Sequence, residues 1–521
     1  MTEGPPGHLP SPDEERSVLR EARAIDDAAM AAPTAPHRFV DLPEDIEDLL
    51  PRAPSYGGLV VAVVAALVVS IGTIAAGIGA FYAGLQIPKA PQEVVIGPWT
   101  VLVSDQLPPR QLIAAALLGM VGIAAAAVSF EIVAALMSVN PRRRVLGSYR
   151  PQTRGVDLAG MRVRVTVLMP AHNEEASLPV TLQALKEQTR QPDRVIVVAD
   201  NCTDRTPDIA REMGYEAFLS VGNVHKKGGA LNQALAALLP DSDAFDVILV
   251  MDADTSLGPQ FIEVAAGRLE ADPELSAVGG VFFGEGGHGL IGQFQRNEYT
   301  RYSLQIRARK GRVFVLTGTA TMFRADALLD VAAARGVFIP GETGKVYDTA
   351  ALTEDNELTL ALKSLGATMV SPPECTVTTE LMPTWGNLWV QRKRWQRGAL
   401  ENLSAYGITR ATIRYWGQQI GIGYGFVALN SALLLMLITV LAIDEWIWFP
   451  LWVVIGLIFV TERVVTAWRG GWRARLLALA LFPELAYDVY LQIVFLKCLF
   501  DITFARRTTW GHVQHDTVGA A

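Results

Sequence analysis

DVILVMDAD, residues 246–254, is an apolar run that stops on two carboxylates, and its reading decides the fold. The run is short and apolar at nearly every position, as a strand buried on both faces is. Two more runs of this kind come earlier in the chain. Val163–Met169 leads into Pro170-Ala171-His172-Asn173-Glu174-Glu175, and Arg194–Ala199 ends in Asp200-Asn201-Cys202-Thr203-Asp204. A fourth β-rich run, Ala277–Phe283, follows. Helical stretches separate these runs, and that alternation indicates an α/β domain with a largely parallel sheet. Ligands of such sheets bind just beyond the carboxyl ends of the strands, where this chain collects acidic residues.

Outside these runs the chain is too apolar for a wholly soluble protein. Of its 521 residues, 50% are hydrophobic and 19% charged, against about a quarter charged in ordinary soluble chains. The same composition excludes a disordered chain. A net charge of −8 argues against nucleic acid as a partner. Cys202, Cys375 and Cys498 are too widely spaced for a disulfide framework or a CxxC metal site.

The apolar excess is concentrated. Residues 1–57 form a polar, acidic leader read as mostly disordered. Within 58–140, the runs Gly58–Ile87 and Gln111–Val139 each exceed the roughly 20 residues that cross hydrocarbon, so two transmembrane helices are expected. Arg142-Arg143-Arg144, Arg150 and Arg154 follow, which by the positive-inside rule turns this end to the cytoplasm. The α/β domain then occupies 141–385, and residues 386–415 form amphipathic interface helices. About three further segments are expected in 416–505: Ile420–Ile443, Trp446–Val465, and Leu476–Phe504, which contains Pro483 and is read as one broken or kinked span, with an interfacial segment or re-entrant pair as the alternative. A tail, 506–521, closes the chain. The expected location is the inner or plasma membrane, multi-pass, with the α/β domain cytoplasmic. Glu131, Glu484 and Asp488 are ionisable residues inside apolar stretches and so candidates to line a polar path.

Asp252 and Asp254 are two apart in an extended segment, so their side chains point the same way. They can offer two carboxylates to one hard cation, Mg²⁺ or Mn²⁺, whose shell is completed by water and phosphate oxygens. The plainer reading of an isolated pair is a turn or a helix cap. Lys226-Lys227-Gly228-Gly229-Ala230-Leu231-Asn232 opens a helix. Alone it is a solvated basic turn; beside a metal site, Lys227 becomes a cation for a donor phosphate. Thr353-Glu354-Asp355 precedes the helical stretch Asn356–Lys363, where acids also complement the helix dipole; Asp355 is the candidate general base. Gln391, Arg394 and Trp395, of Gln391-Arg392-Lys393-Arg394-Trp395, share one helical face. A cationic helix lying on the membrane surface would look alike.

Together these motifs resemble the membrane-embedded family 2 glycosyltransferases, whose processive members include cellulose, hyaluronan, chitin and poly-N-acetylglucosamine synthases. The resemblance spans roughly Val163–Asn402, and QxxRW is its most specific element. It implies a nucleotide-sugar-binding GT-A α/β domain inserted between transmembrane helices. Ala171, His172, Glu174 and Asp200 would hold the uridine of a UDP-sugar; Lys227, Asp252 and Asp254 with the metal would hold its diphosphate. Asp355 would be the base, and Arg394 would meet the departing diphosphate. Trp395 would stack on the acceptor, and Gly318, Thr319, Glu354 and Gln391 would line its path. The implied reaction is inverting, metal-dependent and processive extension of a β-linked polysaccharide from UDP-GlcNAc or UDP-Glc, with export of the polymer across the bilayer. The alternative is a single transfer to a polyprenyl phosphate or another lipid. His172 stands where many relatives carry an aromatic residue; the sequence has no clear match to the gating loop of cellulose synthases, and Trp510-Gly511-His512 is the candidate for a comparable job.

Overall fold

A computed structural model describes residues 92–96, 99–103, 162–308, 311, 313–425, 429, 447–448 and 450–504. They fall into two compact units, residues 162–405 and residues 92–103 with 406–504.

The first unit carries strands β1 (Arg164–Ala171), β2 (Arg194–Ala199), β3 (Glu216–Leu219), β4 (Asp246–Met251), β5 (Ser256–Leu257), β6 (Leu275–Gly279), β7 (Val281–Gly284), β8 (Ala320–Arg324), β9 (Thr368–Val370) and β10 (Thr376–Thr379). Its helices are α1 (Leu178–Lys186), α2 (Thr206–Glu212), α3 (Lys226–Leu238), α4 (Phe261–Ala271), α5 (Gly289–Ala308), α6 (Ala325–Ala334), α7 (Glu354–Ser364) and α8 (Trp385–Tyr406). Seven strands form one sheet in the order β9-β6-β8-β4-β1-β2-β3. Only β8 runs against its neighbours; every other pair in this sheet is parallel. Val165, Val167, Val247, Leu249 and Met251 are fully buried, as expected of central strands covered on both faces. The chain leaves β1 toward β2 and β3, then crosses back to place β4 on the other side of β1. That switch point opens a crevice at the carboxyl ends of β1 and β4. The sheet is therefore the expected GT-A-like α/β arrangement.

The run expected as one strand at Ala277–Phe283 is two strands. It breaks at Gly280, so β6 stays in the main sheet and β7 joins a small one, ordered β5-β10-β7. A Cβ at Gly280 would lie 2.5 Å from Val377 Cγ2 and 3.1 Å from the Ala320 carbonyl oxygen. Only a bare backbone lets the chain change sheets there, a constraint that hydropathy does not register.

Two staples position the elements around the crevice. Asn232 of α3 donates from Nδ2 to the Tyr347 carbonyl at 2.9 Å, and its Oδ1 accepts the Val346 and Tyr347 amides at 3.0 and 2.9 Å. Arg335, fully buried, makes a bidentate pair with Glu357 of α7 at 2.8 and 2.7 Å and also donates to the Val346 and Pro340 carbonyls. The segment entering α7 is thus held from both sides.

In the second unit, strands Gln92–Ile96 and Trp99–Val103 form an antiparallel pair, and Ile447–Trp448 adds parallel to the latter. Among the described residues no single helix is long and apolar enough to cross a membrane. Trp468–Ala480 and Phe482–Thr503 meet that test together, bent by 85°. Leu481, at the break, has φ +55°, a left-handed conformation for a non-glycine residue just before Pro483. Of the two path candidates here, Asp488 meets Arg463 at 2.5 Å and Glu484 meets it at 3.6 Å, so both face one cation. The expected spans Gly58–Ile87 and Gln111–Val139, most of Ile420–Ile443, residues 1–57, Glu131, Trp510–His512 and the tail lie outside the described residues.

Glu357→Ala strands the Arg335 guanidinium in the interior. The expected loss is about 3–5 kcal/mol of stability, read by denaturant unfolding of the full chain; a loss under about 1 kcal/mol would contradict this account of the staple.

Candidate active site

The crevice is built where four separate stretches meet. The Asp252 amide, just past β4, donates to the Thr319 carbonyl at 3.1 Å, which ties the end of β4 to the loop entering β8. Lys227, in the first turn of α3, places Nζ 2.6 Å from Asp252 Oδ1, 3.3 Å from Glu354 Oε1 and 3.4 Å from the Gly318 carbonyl oxygen. The Gly318 amide in turn donates to Asp355 Oδ2 at 3.0 Å, and the Asn356 amide to Asp355 Oδ1 at 2.7 Å. Each Asp355 oxygen keeps a second lone pair. A Cβ on Gly318 would sit 3.1 Å from Asp355 Oδ2, so the close approach of loop and carboxylate suits glycine. The side chains of Lys227 and Asp252 retain 24% and 31% of their surface, which leaves this pair within reach of a ligand.

The charges are unbalanced. Asp252, Asp254, Glu354 and Asp355 gather around the ammonium of Lys227, with the Arg394 guanidinium also acting on Glu354. Burial, then the neighbouring Glu354, push the Asp355 carboxyl up to about 6, against the pull of Lys227 and the two amides. Burial also pushes Asp252 up to about 6, opposed by Lys227 and helped by Asp254. Asp254 is raised by burial and by the carboxylates of Glu174 and Glu380. Glu354 is lowered instead, because Lys227, a backbone amide and Arg394 outweigh its burial. Lys227 itself is held above the ordinary lysine value, since Asp252, Glu354 and Asp355 overcome burial.

Such a surplus of desolvated carboxylate fits a site for a divalent cation. Among the described residues no group of three or more His, Cys, Asp or Glu is arranged to hold a metal. The donors offered are the paired carboxylates of Asp252 and Asp254, enough for a hard cation that takes the rest of its shell from phosphate and water.

At the neighbouring strand ends, Asp200 is buried with Oδ1 accepting from Ser220 Oγ at 2.6 Å, Asn223 Nδ2 at 2.8 Å and Asn201 Nδ2 at 3.1 Å. His172, exposed, has Nδ1 2.6 Å from the Asp200 carbonyl. A carbonyl only accepts, so Nδ1 carries the proton. Ala171, the last residue of β1, pairs opposite Ala199 and its carbonyl accepts the Asp200 amide at 2.8 Å. Glu174 holds the Ser177 hydroxyl and lies near enough to Asp254 to raise it, so it borders the acidic cluster. Thr319 shares a 2.6 Å hydroxyl contact with Thr317.

The QRKRW residues lie midway along α8. Arg394 is exposed and close enough to Glu354 to favour its ionised form. Trp395 is half-buried beneath the Arg392 guanidinium, and Gln391 Oε1 accepts from Arg392 Nη1 at 2.7 Å. Sequence reasoning missed the contact that fixes this helix. A Cβ on Gly398 would lie 2.5 Å from Thr353 Oγ1, and Asn402 Nδ2 donates to the Thr353 carbonyl at 3.2 Å and to Asn356 Oδ1 at 3.1 Å. Positions 391, 395, 398 and 402 recur at helical spacing, a signal that extending the motif by two turns would have found. Also missed were Asn223 and Ser220, which hold Asp200, and Glu380, which faces Asp254.

Gly398→Ala forces α8 and Thr353 apart and should cost about 1–3 kcal/mol of stability. Lys227→Met takes from Asp252 its bonded cation and from Glu354 one of the two acting on it, and should cost a similar roughly 1–3 kcal/mol, partly restored by millimolar Mg²⁺ or Mn²⁺. Melting curves of the full chain with and without the ion check both, and a Lys227→Met chain as stable as the parent would contradict the charge reading.

Residues 166–331 match the family model for glycosyl transferase family 2. Over 245 residues the chain is 24% identical to the poly-beta-1,6-N-acetyl-D-glucosamine synthase of Staphylococcus aureus (strain COL), a match covering 46% of this chain and 55% of that protein. Over 246 residues it is 32% identical to the probable glycosyltransferase YdaM of Bacillus subtilis (strain 168), covering 45% and 55%. The chain thus spans about half the length of the curated relatives it matches. Among solved structures, the mannosyltransferase PcManGT from Pyrobaculum calidifontis in complex with GDP-Man and Mn²⁺ is 17% identical with a TM-score of 0.44, covering 73% of this chain and 99% of that one. With its parallel sheet, acidic crevice and matching family model, this chain carries a family 2 glycosyltransferase domain.

Proposed function

We propose that this protein is an inverting, metal-dependent and processive glycosyltransferase that extends a β-linked polysaccharide from UDP-GlcNAc or UDP-Glc. The observation that carries the reading is the bonded chain Asp252–Lys227–Glu354 with Gly318–Asp355, which gathers into one crevice a cation suited to a phosphate and a carboxylate suited to be a base. Asp355 takes the proton of the acceptor hydroxyl as its oxygen bonds to the anomeric carbon. The bond from that carbon to the diphosphate breaks, and UDP leaves from the opposite face. The proposed single displacement needs one base and no carboxylate nucleophile, so the configuration inverts. Lys227 and Arg394 supply positive charge for the departing diphosphate. A Mg²⁺ or Mn²⁺ ion on Asp252 and Asp254 would add a Lewis acid at the same oxygens. Asp200, with Oδ1 already held by three donors, has Oδ2 to accept the uracil imide N–H, and His172, Ala171 and Glu174 border that position.

Polymer extension is supported by the QRKRW helix and by the similarity to a poly-beta-1,6-N-acetyl-D-glucosamine synthase, which also favours N-acetylglucosamine as donor. The long apolar runs and the arginines at 142–144 support a multi-pass protein of the inner or plasma membrane, with this domain on the cytoplasmic side and the polymer passed outward across the bilayer.

The purified full chain, incubated with each UDP-sugar and Mg²⁺ or Mn²⁺, should release UDP and accumulate long product; a single sugar on a lipid would favour polyprenyl phosphate as acceptor instead. Asp355→Asn should lower kcat by about 10²–10⁴ with little change in donor KM. Asp355 accepts a proton only when ionised, so activity should fall as pH drops through about 6 and level off above it. Chelation should abolish turnover. UDP release that survives Asp355→Asn would overturn the mechanism.

A further inference from the structure

We infer that Arg392 is a positioning residue that holds the Trp395 ring as a fixed platform for the acceptor sugar, with Glu298 anchoring the guanidinium. Arg392 lies in α8 and is only 5% exposed. Its Cζ sits 4.3 Å from the Trp395 ring centroid and 5.7 Å from that of Tyr299, both within cation–π range. Nη2 donates to Glu298 Oε2 at 3.0 Å, and Nη1 to Gln391 Oε1 at 2.7 Å. One planar cation therefore joins two residues of α5 to two of the QRKRW motif.

An arginine is an expensive way to fill an interior position, since a leucine there needs no counter-ion. Its specific gain is geometric. The planar fork can bond a carboxylate in its plane while stacking on an indole, whereas a lysine keeps only the charge. A ring held in this way loses little freedom when a sugar presents its C–H face, so acceptor binding does not have to pay for ordering it. The other end of the arrangement is also fixed. Three residues beyond Trp395, Gly398 packs on Thr353, two positions before Asp355. Platform and base thus share one rigid frame.

The inference rests on the proposed transfer reaction, and its test separates the two. In the full-length enzyme, donor KM, primer KM and product length are measured for Arg392→Lys, Arg392→Gln and Glu298→Gln, using as primer the short oligosaccharides that the wild-type enzyme itself makes. The expected result is a primer KM about tenfold higher with shorter products in the Arg392 variants, while donor KM stays within about twofold. Glu298→Gln should shift the same way by a smaller factor, and it is the decisive variant if the Arg392 changes unfold the chain, because its side chain is 34% exposed. Unchanged primer KM and product length in a working enzyme overturns this inference alone. So does a parallel rise of both KM values with a lowered melting temperature, which is the mark of a merely structural role. A wild-type chain that consumes no sugar nucleotide overturns the transfer reaction and this inference with it.

Discussion

One ammonium group carries the architecture of the crevice. Lys227 touches Asp252, Glu354 and the Gly318 carbonyl at once, and those three come from the end of β4, the start of α7 and the loop before β8. Carboxylates brought this close in a partly desolvated space repel one another, and in the absence of a cation the cheapest response is to take up protons. Asp252 and Asp355 move in that direction even with the lysine present. The site is therefore poised between the cations it already holds, Lys227 above all, and positive charge that a ligand brings. In the reaction we propose, a sugar nucleotide entering with a divalent ion would bring phosphate oxygens to Lys227 and a cation to Asp252 and Asp254.

Holding such a cluster together requires rigidity from outside it. Asn232 staples α3 to the loop segment at Val346 and Tyr347, and Arg335 locks the same segment to α7 through Glu357. Gly398 and Asn402 then fasten α8 to Thr353. Together these contacts set the relation between Lys227, Asp355 and Trp395. Rigid support of this kind is what allows mutually repelling groups to be kept in one arrangement.

Much of this was legible from local pattern. The strands at Arg194–Ala199 and Asp246–Met251 have the bounds that apolar runs indicate, and their acidic ends lie at the switch point where an open α/β sheet binds ligands. The helix at Lys226 and the acids opening α7 were likewise readable, because first-turn charges and glycine pairs are local signals. What escaped was set by distance in the chain. The break at Gly280 answers to Val377, almost a hundred residues away, and hydropathy does not encode it. The antiparallel strand β8 is a short stretch, holding Thr321 and Arg324, whose direction depends on which neighbours it meets. Asn232 and Gly398 stood inside or beside quoted motifs, but their roles depend on Tyr347 and Thr353, partners that no spacing rule names.

The reversed direction of β8 has a further bearing. In a wholly parallel sheet only outgoing loops reach the ligand edge, and each must lead into a helix that packs the sheet. Because Ala320, the first residue of β8, pairs with Met251, the last of β4, it is the incoming segment at Thr317–Thr319 that arrives there. That segment leads into a strand rather than a helix, and its backbone is pinned on arrival: the Gly318 amide donates to Asp355, the Gly318 carbonyl lies by Lys227, and the Thr319 carbonyl accepts the Asp252 amide. A strand that enters the sheet at this edge thus lends main-chain groups, rather than side chains alone, to the acidic cluster.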